Sequence, residues 1–140
     1  MIKGFFGINI AVQDLDEAVP KFQALLGVKP QIVSDRNKFA FPGITAAVFD
    51  FKGISVNLLT STDKNDKGNP VGKFLSTKGE GVLLISLRSD DVEGDIADLA
   101  AKGLNFISPQ AFAGGYGKVN FIHPKTMNGV QIEVIEPAGI

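Results

Sequence analysis

Residues 7–30 read GINIAVQDLDEAVPKFQALLGVKP, and the order of signals in this stretch decides the fold. Over residues 5–12 apolar side chains alternate with the two-residue period of a strand that buries one face. Asp14 follows as a helix N-cap with Glu17 three residues on, the spacing of a capping box, and an amphipathic helix continues to Leu26. Pro20 falls within it, where the ring is tolerated only in the first turn or at the cost of a kink. Gly27 closes the helix in the left-handed conformation. Strands are expected next over residues 31–34 (running on toward Phe41), 46–51 and 54–59.

The same succession then recurs. A strand is expected over residues 81–89, a helix capped by Asp90 or Asp91 and ended by Gly103, and strands over 105–108, 118–123 and 130–135. Superposing the halves sets Ile8, Ile10 and Asp14 on Ile85, Leu87 and Asp91, about 77 residues apart. The expected fold class is therefore α+β: two βαβββ modules in tandem, residues 1–60 and 80–140, within one domain. Residues 61–79 join them. They comprise a polar, glycine-containing stretch and a short helix PVGKFLSTK, with Asn69 as N-cap and Pro70 in the first turn.

Composition excludes several functions. The 140 residues carry 14 basic and 15 acidic side chains, a net charge of -1, which offers no footprint for nucleic acid or an anionic membrane. The absence of cysteine removes disulfides, thiolate metal sites and cysteine nucleophiles together. The apolar start has no basic region before it, so it reads as a strand rather than a signal peptide, and a cytoplasmic location is expected. Eleven phenylalanines accompany one tyrosine and no tryptophan. Phe39, Phe41, Phe49 and Phe51 stand at alternate positions, either as core or as the lining of an apolar pocket.

Three blocks in series, GINIAVQDLDEAVPKFQALLGVKP (7–30), VGKFLSTKGEGVLLISLRSDDVEGDIADLAAKGLNFIS (71–108) and GGYGKVNFIHPKTMNGVQIEVIE (114–136), resemble the vicinal oxygen chelate superfamily. That superfamily comprises glyoxalase I, bleomycin resistance proteins, extradiol dioxygenases and methylmalonyl-CoA epimerase, and the epimerase branch is the most similar. The resemblance implies half-barrel modules enclosing a cleft for metal and substrate, and assembly as a homodimer. It places the four metal-ligand positions on Gly7, Asn57, Leu84 and Glu133. Glycine has no donor atom, leucine is apolar and an amide is a weak ligand, so only Glu133 binds a divalent ion well. No metal or other cofactor is expected. The second carboxylate base of the epimerases falls in FAFPGITAAVF (39–49), where Phe41 and Pro42 stand.

Glu133 is thus the one member of the quartet still able to do chemistry. In apolar company its pKa rises toward that of a general base working near neutrality. One reading makes Glu133 the base that removes a proton beside a carbonyl, with Asn57 donating to the developing oxyanion. The other has Glu133 neutralised by a hydrogen bond to Asn57, tying the modules together. Phe39, Phe41, Leu84, Tyr116 and His123 are the expected substrate-binding residues, Tyr116 on a flexible loop with Gly114, Gly115 and Gly117. His123, Lys118 and Lys125 either meet a phosphate or thioester or form solvated surface. The expected function is an isomerase or lyase acting on a small carbonyl or acyl-thioester compound without metal. The alternative is a non-catalytic protein that binds a drug or metabolite, as bleomycin resistance proteins do.

Overall fold

The alternation at the start of the chain becomes strand β1 (Ile2–Ala11), the first element of a mixed α+β fold. The computed structural model describes residues 1–34 and 39–138. The chain divides into two compact units, Gly7–Leu83, and Met1–Phe6 with Leu84–Ile140. The segment that joins the two repeats in sequence is therefore part of the first unit.

In the first unit α1 (Leu15–Leu26) starts at Asp14, whose carboxylate accepts from the Asp16 N–H. The capping box does not close, because Glu17 turns outward to Lys21 one helical turn on. Pro20 lies inside the helix and is accommodated, and Gly27 ends it at φ 75° as expected. Strands β2 (Gln31–Val33), β3 (Ile44–Phe51) and β4 (Ile54–Ser61) follow. The sheet order is β2-β3-β4-β1, antiparallel except where β1 runs parallel to β4. Lys52 and Gly53, both at positive φ, form the two-residue turn between β3 and β4, with Asp50 accepting from the Gly53 N–H.

Two expectations change here. Phe39 and Phe41 lie in irregular chain ahead of β3, not on a strand, while the 35–38 part of that stretch is outside the described residues. Thr60 and Ser61 belong to β4 and are buried, so the polar joint begins later. Helix α2 (Pro70–Lys78) is capped by Asn69 onto the Gly72 N–H, as its Asn-Pro start predicts. Phe49 and Phe51 pack with Ala47, Val56, Leu58 and the apolar side of α1, which makes them core.

The second unit repeats the plan with β5 (Gly81–Ser89), α3 (Val92–Ala100), β6 (Phe112–Gly114), β7 (Gly117–Ile122) and β8 (Ile132–Pro137), in the order β5-β8-β7-β6. Asp91 is the cap of α3, and the Gly103 and Leu104 N–H groups close its far end on Ala100 and Leu99. The expected strand over 105–108 is reduced to a single bridge, Phe106 to Ile122. The third strand is β6 instead. The loop expected around Tyr116 is the tight two-residue hairpin Gly115–Tyr116 between β6 and β7. Gly117 must be glycine, since a Cβ there would lie 2.1 Å from the Glu136 carbonyl oxygen.

Candidate active site

Strand β8 sorts its side chains by parity. Ile132 and Val134 enter the core with Val92 and Ile122, so Glu133 between them projects from the face away from α3. On that face it has two strand neighbours. Ser86 of β5 is its parallel partner and Phe121 of β7 its antiparallel one. The Ser86 hydroxyl, on a residue only 2% exposed, donates to Glu133 Oε1 at 2.7 Å. The Phe121 ring leans on Phe112, centroids 6.1 Å apart, to give an apolar wall. Burial pushes the Glu133 carboxyl up from its ordinary value, and the Ser86 hydrogen bond opposes that rise by stabilising the anion.

The first unit contains the repeat-equivalent pair. Ile8 and Ile10 of β1 pack on the α1 side, leaving Gly7 and Asn9 on the other face. Asn57 of β4 is in register with Asn9 and donates its amide N–H to Asn9 Oδ1 at 2.9 Å. The Ser55 hydroxyl donates to Asn57 Oδ1 at 2.9 Å. Within its own unit Glu133 is thus held by Ser86, and Asn57 by Asn9 and Ser55. The latter two bonds fix the orientation of the Asn57 amide.

The four positions that the resemblance assigns to a metal do not suit one. A Cβ at Gly7 would sit 1.9 Å from the Ser55 carbonyl oxygen, so no side chain, imidazole included, fits while β1 and β4 stay paired. Leu84, two residues before Ser86, is buried and apolar. Asn57 and Glu133 both spend an oxygen on a hydroxyl. Among the described residues no three His, Asp or Glu side chains gather as a metal would require.

His123 is exposed and ends β7 rather than lying on it, and its Nδ1 accepts from the Lys125 N–H to cap a short 3-10 turn. Lys118 and Lys125 are exposed. Tyr116 is half-buried at the hairpin tip, where burial pushes its phenol up. Ser86, Asn9 and Phe121 were missed in the sequence. Asn9 and Ser86 did carry a signal, each being a polar residue inside an apolar strand, at the same offset that separates Gly7 from Leu84. Phe121 carried none, because its place beside Glu133 depends on the β7–β8 register.

The chain has recognisable relatives. A family model described as Glyoxalase/Bleomycin resistance protein/Dioxygenase superfamily matches residues 7–122. The mitochondrial methylmalonyl-CoA epimerase of Dictyostelium discoideum is 30% identical over 131 residues, 92% of this chain and 75% of the relative. Among solved structures, the methylmalonyl-CoA epimerase of Mycobacterium tuberculosis superposes with a TM-score of 0.85 at 28% identity, covering 99% of this chain and 90% of that one. A variant of the Streptomyces coelicolor methylmalonyl-CoA epimerase in complex with 2-nitronate-propionyl-CoA gives 0.82 at 28% identity, covering 99% and 100%.

Proposed function

The chain belongs to the glyoxalase/bleomycin resistance protein/dioxygenase superfamily, and from that premise we propose that it moves a proton on the carbon beside the carbonyl of an acyl-CoA thioester, with Glu133 as the base. The observation that carries this reading is the Glu133 carboxyl itself. It projects from the helix-free face, buried enough to be made more basic than a solvated glutamate, against the Phe121 ring and under one hydroxyl. The epimerases that this chain resembles supply the substrate class.

In this reading Oε2 of the ionised carboxylate takes the α-proton. The C–H electron pair moves into the carbonyl to give an enolate, and the carboxylic acid so formed returns a proton to carbon. Phe41 and Pro42 hold the place of the second carboxylate, so Glu133 is the one protein base; return of its proton to the same face gives exchange alone, and inversion takes a proton from water on the opposite face while Glu133 releases its own to solvent. The reaction class is an isomerase; expulsion of a β leaving group from the enolate would be the lyase variant. Leu84, Phe39, Phe41, Tyr116 and His123 are kept as substrate-binding residues of the proposal. Neither a metal nor a cofactor takes part, for the reason Gly7 and Leu84 supply. A cytoplasmic location and a homodimer are part of the proposal. Among the described residues no helix is long and apolar enough to cross a membrane.

Exchange of the α-proton of methylmalonyl-CoA and related acyl-CoA thioesters in heavy water, read by mass spectrometry, tests the reading. Catalysed exchange is expected with the native protein, and Glu133→Gln should slow it at least about 10²-fold. Undiminished exchange in that variant, or no catalysed exchange with the native protein, overturns the proposal. Tight binding of the thioesters without exchange would favour the binding protein instead.

A further inference from the structure

Glu133 has three rotatable side-chain bonds and two equivalent oxygens, so burial alone does not decide which oxygen meets a substrate. Ser86 decides it. It stands directly opposite Glu133 in the parallel β5–β8 ladder, it is almost fully buried, and its hydroxyl is bonded to Oε1 at 2.7 Å. A strand position gives the hydroxyl a fixed height and direction, and a glutamate tied at one oxygen presents the other at a set place. The first unit contains the same device. Asn9, on β1, holds the Asn57 amide from the register position equivalent to that of Ser86. Thus each repeat carries a polar residue on its first strand that clamps the polar residue on its last strand.

We infer that Ser86 is a positioning residue for Glu133, holding Oε1 so that Oε2 is the oxygen offered to the substrate. The inference rests on Glu133 acting as the base. A serine that merely fills space would be replaced by alanine with little effect on turnover. A serine that orients the base would not, because the freed carboxylate spreads over several rotamers and only a fraction of encounters start in the reactive one.

The test is the exchange of methylmalonyl-CoA followed by kcat and KM in Ser86→Ala, Ser86→Thr, Glu133→Gln and the Ser86→Ala/Glu133→Gln double variant. Ser86→Ala is expected to lower kcat about tenfold with KM changed less than about twofold, the size of one hydrogen bond to a charged group. Ser86→Thr, which keeps the hydroxyl, restores most of it. In the Glu133→Gln background the Ser86→Ala substitution should have no further effect, since there is no base left to orient. Equal kcat in native protein and Ser86→Ala overturns the inference, as does an additive effect in the double variant. A second readout does not need turnover. The side-chain carboxyl carbon resonance of Glu133, assigned by its loss in Glu133→Gln, should move in Ser86→Ala. If the native protein catalyses no exchange, the base assignment fails. An unmoved resonance means that the Ser86 contact itself is wrong.

Discussion

Gly7→Ala is the substitution that probes most sharply why position 7 carries no side chain. The added methyl would lie 1.9 Å from the Ser55 carbonyl oxygen, 2.8 Å from its carbonyl carbon and 2.9 Å from its Cβ. Ordinary van der Waals contact begins near 3.4 Å, so the strands must separate by more than an ångström at this point. Two of these atoms are backbone of β4, which is held by β3 on its other edge and cannot swing aside as a side chain would. Relief means disturbing the parallel pairs Gly7–Ser55 to Asn9–Asn57. Overpacking of a fixed interior costs about 1–3 kcal/mol, and a disturbed buried ladder adds to it, so a loss of about 3 kcal/mol is expected. For a chain of this size that is a fall in Tm of about 10 °C, measured by circular dichroism in a thermal scan. Gly7→His should fall at least as far and gain no affinity for zinc in isothermal titration. A Gly7→Ala melting point within about 2 °C of the native value would refute the close approach and with it the steric account of the lost ligand.

Three further outcomes follow from the same structure. The Glu133 carboxyl has its native pKa raised above the ordinary value of 4.5, so the folded state holds its proton more tightly, and stability falls as pH rises from the unfolded pKa toward the folded one. Glu133→Gln removes that loss; it should raise Tm at neutral pH and leave it unchanged near pH 4, and a lower Tm at neutral pH would contradict the burial argument. Asn69→Ala deletes the cap on the Gly72 N–H and a 2.6 Å bond to the Ser61 hydroxyl from a buried position, and urea unfolding should show a loss of about 2–3 kcal/mol. Dialysis against a chelator should change neither Tm nor thioester exchange, and recovery of lost exchange on adding a divalent ion would reinstate metal chemistry.

Much of the fold was legible because its signals are local. Asp14, Gly27, Asn69, Asp91 and Gly103 each act within one helical turn, and all five mark helix ends in the structure. The alternations of β1, β4, β5 and β8 likewise need only the next residue but one. Errors came where a partner elsewhere in the chain decides. Residues 105–108 look like a strand but form a single bridge to β7, Phe106 to Ile122, with the Ile107 N–H bonded to the Phe121 carbonyl, while Phe112–Gly114 earn strand geometry by pairing with β7. Phe39 and Phe41 alternate as a strand would, yet chain ahead of β3 takes no ladder at that point.

The site divides in the same way. From the sequence came the internal repeat, which depends only on residue type and spacing, and, through the family resemblance, Glu133 as the surviving carboxylate and the loss of donors at Gly7 and Leu84. Register is a property of two strands at once, set by which faces are buried, and it decided the rest. It put Ser86 on Glu133, gave Asn57 to Asn9, set Phe121 beside the carboxyl, and turned the glycine at position 7 from a missing ligand into a place where none can stand.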